Sequence, residues 1–107
     1  MNMIQATDED LHEIMKKQTT PYMVEFFATW CGHCKRMEPI LQQAAKEYAG
    51  KVTIIQMDVD QTPKMNKEFG VSSTPTMFFY DKNGEMKSKQ VGELPLEDVK
   101  AKFDSLL

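Results

Sequence analysis

The chain has 107 residues, the size of one compact domain with its own core, and we expect a single domain over residues 1–107. Hydrophobic residues make up 41% and charged residues 27%, an ordinary globular mix that leaves no room for a disordered or low-complexity chain. The formal net charge of −3 argues against nucleic acid as a partner, since binding phosphate needs a basic surface. From the N-terminus, Met3, Ile4 and Ala6 predict a short strand. Thr7 or Asp8 is placed to cap a helix whose apolar positions Leu11, Ile14 and Met15 recur at helical spacing. Thr19-Thr20-Pro21 ends it, and Tyr22 to Ala28 reads as a strand in which Glu25 interrupts Val24, Phe26 and Phe27.

After Cys31-Gly32-His33-Cys34, a long helix carries Cys34, Met37, Leu41, Ala44 and Tyr48 on one stripe; Pro39 lies inside it and Gly50 stops it. Val52 to Val59 is a second apolar strand, followed by a short helix opened by Thr62-Pro63 and closed by Gly70. Val71 to Pro75 is a loop, Thr76 to Tyr80 a strand, and Asp81-Lys82-Asn83-Gly84 a hairpin turn. Glu85 to Val91, with its lysines, suits an edge strand. Gly92 breaks it, and from Pro95 a last helix puts Leu96, Val99, Phe103 and Leu106 on one face. The order β-α-β-α-β-α-β-β-α implies an α/β fold, with a parallel sheet covered by helices and antiparallel strands added at one side.

No apolar run approaches the roughly 20 residues of a membrane span. The opening MNMIQATDED has neither the basic nor the apolar region of a secretion signal. A cytoplasmic protein is therefore expected, and with no surface stripe asking for a partner helix, a monomer. The two cysteines share one tetrapeptide, so they cannot staple distant parts of the fold and their purpose is local.

That tetrapeptide lies where a strand ends and a helix begins. The first N–H groups of a helix lack partners and its dipole is positive there. A thiolate at Cys31 is stabilised at such a place, and the thiolate is the nucleophile in sulfur chemistry. A spacing of three residues within one helical turn lets the second sulfur approach the first, so that a disulfide closes reversibly. A lone CxxC also reads as half a zinc site, but the chain offers only His12 and His33 as further ligands, and His33 sits between the cysteines. A purely structural disulfide closing so small a loop would remove little entropy from the unfolded chain. Redox work is the reading that fits, with no metal.

From Val24 to Lys35 the chain resembles the thioredoxin superfamily, and the likeness runs nearly its whole length: Pro39, Asp60, Thr74-Pro75-Thr76, Asn83-Gly84 and Val91-Gly92 fall at the family's positions. The tetrapeptide CGHC, with His33, is similar to that of protein disulfide isomerase domains. The resemblance implies the thioredoxin fold, a central mixed sheet flanked by helices on both faces. It also implies a dithiol–disulfide exchange in which Cys31 attacks and Cys34 resolves. No cofactor is bound; a redox-active Cys31–Cys34 disulfide is recycled by a thioredoxin reductase that draws on NADPH.

The resemblance also suggests roles for neighbours. Glu25 is the buried acid behind Cys34, expected to take its proton, because a strand covered on both faces has no wet side to turn a carboxylate towards. The family often pairs this acid with a lysine, where this chain has Gln56. Gly32 and His33 are expected to tune the potential, His33 as an imidazolium beside the Cys31 thiolate. Trp30 forms an apolar rim for substrate, Thr74 offers backbone to it, Pro75 is cis, and Gly92 allows close backbone approach. Phe27 stands where many relatives have tryptophan. Lys35 and Arg36 form a solvated face beside the site, and the methionines Met15, Met37, Met57 and Met65 fit core positions. Reduction of protein disulfides is the leading function. A more oxidising oxidase or isomerase, and a redox-regulated binding module without turnover, are the alternatives.

Overall fold

The computed structural model describes residues 3–107. Its elements follow the expected order: β1 (Met3–Gln5), α1 (Leu11–Lys16), β2 (Tyr22–Phe27), α2 (Gly32–Glu47), β3 (Thr53–Asp58), α3 (Pro63–Glu68), β4 (Thr76–Tyr80), β5 (Met86–Val91) and α4 (Leu96–Leu106). One five-stranded sheet has the order β1-β3-β2-β4-β5. β1, β3 and β2 run parallel, while β4 and β5 are antiparallel to their neighbours. The parallel strands need crossover helices, which is why α1 and α2 intervene in sequence. β5 is an edge, and its residues alternate between exposed and half-buried along most of its length.

β2 lies at the centre, and every residue from Tyr22 to Phe26 is buried. Its pleat divides two cores. Met23 joins Met37, Leu41, Ile54, Phe79, Val99 and Phe103 under α2 and α4. Val24 and Phe26 join Leu11, Ile55, Met57, Met65 and Phe78 on the opposite face, under α1 and α3. Glu25 alternates with Val24 and Phe26 and so shares the α2 side with Met23. It is 1% exposed. The expected methionines are core: Met37, Met57 and Met65 are fully buried, and Met15 packs at the margin. Among the described residues no helix is long and apolar enough to cross a membrane.

Thr7 and Asp8 divide the capping work. Thr7 Oγ1 accepts from the Asp10 N–H at 3.3 Å, and Asp10 Oδ1 accepts from the Thr7 N–H at 2.7 Å, a reciprocal box around the entry to α1. Asp8 turns away from α1. Its carboxylate accepts from the N–H groups of Lys64 (3.1 Å) and Met65 (2.9 Å), so it caps α3 from a loop far away in sequence. Asp8→Ala should therefore destabilise the fold by about 1 kcal/mol, the ordinary worth of an N-cap, read as a lowered urea midpoint; an unchanged midpoint would mean water serves those two N–H groups as well.

Candidate active site

β2 delivers the chain through Ala28 to Cys31, where α2 starts. Cys31 is the N-cap of α2 in extended conformation (φ −86°, ψ 120°). Its sulfur stands where an N-cap oxygen normally would, accepting from the Cys34 N–H at 3.3 Å. The Cys31 thiol in turn donates to the Thr74 carbonyl at 3.4 Å, across the Thr74–Pro75 bond, which is cis as the resemblance implied. Both cysteines are free thiols and both are buried, forming a small cluster with Ala28 under Phe27 and Val59.

The two thiols differ in acidity. Burial alone would raise Cys31, but hydrogen bonds from the Cys34 and Thr74 side chains and from the backbone N–H groups of Cys34 and His33 outweigh it and hold the thiol below its ordinary value. Cys34 is pushed the other way, to about 11, by burial and by its hydrogen bond to Cys31. The helix start thus yields one activated sulfur and one dormant one. Cys31 faces a cleft of about 590 Å³ whose walls include Trp30, His33, Val59, Val71 and Thr74. Cys34 lines a different opening of about 270 Å³ behind the motif, with Gln5, Glu38 and Gln56.

Behind Cys34 lies a chain of amides and carboxylates. The β2–β3 register sets Glu25 directly opposite Gln56. Gln56 Nε2 donates to Glu25 Oε1 at 2.9 Å and to Glu38 Oε1 at 2.8 Å, while its Oε1 accepts from Gln5 Nε2. The partner of Glu25 is therefore an amide shared with a second carboxylate, with no cation in the bridge. Burial pushes Glu25 up to about 7; the Gln56 hydrogen bond offsets part of this, and the charges of Glu38 and Cys31 add to it. Glu38 was not singled out from the sequence. Its signal was its position four residues beyond Cys34, on the same helical face.

The remaining candidates take these places. Trp30 is 68% exposed on the cleft rim, and its indole N–H donates to Asp60 Oδ2 at 2.9 Å. At Gly92 a Cβ would meet nothing within 4 Å. What it supplies is a positive φ of 95°, where its N–H reaches the Pro75 carbonyl at 2.9 Å. The imidazole of His33 lies with Glu93 and Arg36, at 2.9 Å from each, rather than against Cys31. The part of His33 that serves the sulfur is its backbone N–H. Glu93 was also missed, since its partners lie 57 and 60 residues away and no local pattern points to it.

A strand-to-helix turn that activates one of two adjacent thiols, with a buried acid behind the other, defines a thiol–disulfide oxidoreductase. A family model described as Thioredoxin matches residues 2–105. A thioredoxin of Haemophilus influenzae is 39% identical over 93 residues, covering 87% of this chain and 86% of that protein. One from Staphylococcus haemolyticus is 37% identical over the full length of both. The chloroplastic M-type thioredoxin of Pisum sativum is 34% identical over all of this chain, which spans 62% of that longer protein. The crystal structure of chloroplastic thioredoxin z superposes with a TM-score of 0.91 at 26% identity, covering 99% of this chain and 95% of that one. The chain belongs to the thioredoxin family, whose members are protein-disulfide reductases that use a cysteine pair as their redox group.

The raised Glu25 pKa has a consequence for stability. A carboxyl that ionises near 7 when folded and 4.5 when unfolded favours the fold below pH 4.5 and loses that contribution as pH rises through 7. Glu25→Gln carries no such loss. It should be more stable than the parent by about 2–3 kcal/mol at pH 8.5, a gap that closes towards pH 4.5. Urea unfolding at both pH values checks this, and a gap independent of pH would contradict it.

Proposed function

We propose that this protein reduces disulfides in other proteins, with Cys31 as nucleophile, Cys34 as resolving thiol and Glu25 as the base that serves it. The observation that carries the reading is the asymmetry of the dithiol. Cys31 faces the open cleft with two backbone N–H groups on its sulfur, and Cys34 lies behind it with its thiol held protonated.

The Cys31 thiolate attacks one sulfur of a substrate disulfide. The S–S bond breaks, the leaving sulfur departs as thiolate and takes a proton, and a mixed disulfide joins Cys31 to the substrate. Cys31 is then uncharged. Its charge no longer raises Cys34 or Glu25, so both become easier to ionise at the moment it matters. Glu25 takes the Cys34 proton, and the Cys34 sulfur attacks Cys31, expelling the second substrate thiol. Two thiols of this chain become one disulfide, and one substrate disulfide becomes two thiols. Substrate lies along the cleft past Trp30, with its backbone beside that of Thr74 as an added strand. Gly32 lines the same cleft. A flavoprotein thioredoxin reductase, spending NADPH, returns the pair to the dithiol in the cytoplasm. One domain over residues 1–107 acts as a monomer, with no nucleic acid, membrane or metal involved.

Insulin reduction tests this directly. Cys31→Ser should abolish turnover, and Cys34→Ser should accumulate a covalent mixed disulfide visible by mass spectrometry. In single turnover, release of substrate should rise between pH 6 and 8 as the Glu25 carboxylate forms, and Glu25→Gln should flatten that rise and slow release about tenfold or more at pH 8. Trapping by Cys31→Ser instead of Cys34→Ser would reverse the assignment.

A further inference from the structure

The side chains of His33, Arg36 and Glu93 meet beside the dithiol. Arg36 Nε donates to both carboxylate oxygens of Glu93 at 3.1 Å, and Arg36 Nη2 donates to Oε1 at 3.1 Å. Glu93 Oε1 also lies 2.9 Å from His33 Nδ1, which is 2.9 Å from Arg36 Nη2. Nδ1 donates to Glu93 when it carries a hydrogen and accepts from Arg36 when it does not, so either state of the ring has a partner in the cluster. The backbone on both sides of Glu93 is tied down. The Gly92 N–H donates to the Pro75 carbonyl at 2.9 Å, and the Leu94 N–H points at Met37 Sδ at 3.2 Å. Glu93 is thus held over the first turn of α2 by contacts to the cis-proline loop and to α2 itself.

Both side chains it engages lie beside the tetrapeptide that carries Cys31. Arg36 folds back over the motif, so that a Cβ at Gly32 would lie 3.6 Å from its Nη1. Gly32, over which Arg36 lies, and His33 both share the cleft wall with Cys31. Of the other charges nearby, Asp60 accepts from Trp30, Glu25 and Glu38 share Gln56 behind Cys34, and Lys35 lines the opening behind the motif.

We propose that Glu93 is a positioning residue that keeps the dithiol reducing, by holding the His33 ring and neutralising the Arg36 guanidinium, which would otherwise stabilise the Cys31 thiolate. This rests on the reading of Cys31 as the redox-active nucleophile. A thiolate favoured by free cations stabilises the dithiol form and makes the pair a stronger oxidant. Glu93 opposes that drift, and in this chain it offsets the histidine of the tetrapeptide.

Equilibration of the parent and of Glu93→Gln against reduced and oxidised glutathione, read by Trp30 fluorescence, tests the inference. Glu93 is a half-buried loop residue, so the variant is expected to fold. The equilibrium should move about two- to fivefold towards the dithiol, the size of one exposed charge interaction. The shift should shrink at high salt, and it should vanish when Glu93→Gln is made on a His33→Gln/Arg36→Gln background. An unchanged equilibrium, or an equal shift on both backgrounds, overturns the proposal. Failure of the parent to reduce insulin would overturn the functional reading alone, because the glutathione equilibrium still reports the effect of Glu93.

Discussion

The unpaired N–H groups at the first turn of α2 are what the site depends on. A helix start must find acceptors for these donors, and here one acceptor is the sulfur of Cys31, 3.3 Å from the Cys34 N–H. Capping and chemistry are thereby the same contact. The fold has to present a helix start at the end of a rigid strand, and it does so with β2, which pairs β3 on one side and β4 on the other and is buried from Tyr22 to Phe26. The cis-proline loop closes the far side of the sulfur through the Thr74 carbonyl. Cys31 is consequently fixed from three directions before any substrate arrives, which spares the reaction the cost of orienting its nucleophile.

Burial supplies the other half of the asymmetry. The same central position that makes β2 rigid leaves Glu25 with no water, and the acid ionises near neutrality as a result. Its partner across the parallel register is Gln56. An amide can donate to a carboxylate but cannot neutralise it, and this one divides its two hydrogens between Glu25 and Glu38. Glu25 is therefore left to ionise near neutrality, at about 7. A lysine in place of Gln56 would favour the carboxylate and lower that value.

Sequence pattern carried the fold well, because apolar periodicity reports on which face of each element is buried. Thr76 to Tyr80 reads as a strand and is β4, and the stripe through Cys34, Met37, Leu41 and Ala44 is the buried face of α2. The burial of Glu25 followed from its place in a strand covered on both sides. What pattern could not carry was the pairing of side chains across the fold. Asp8 looks like a cap for the helix next to it, yet it serves α3, since the loop after β1 runs past the start of that helix. His33 sits beside Cys31 in sequence, but at the start of a helix neighbouring side chains point in different directions, and its ring goes to Glu93. Gly92 was legible as a break and not as a left-handed residue that hands its N–H to Pro75.

The account stands or falls on the difference between the two thiols. Thiolate absorbance of the reduced protein, titrated from pH 5 to about 12 with Cys34→Ser as the single-thiol reference, measures it directly. Cys31 is expected to ionise below the ordinary thiol value of 9.0 and Cys34 only towards 11, giving two separated steps, with the lower one retained in Cys34→Ser. A single unresolved step near 9 for both sulfurs would mean that the helix start does not activate Cys31, and would contradict the account.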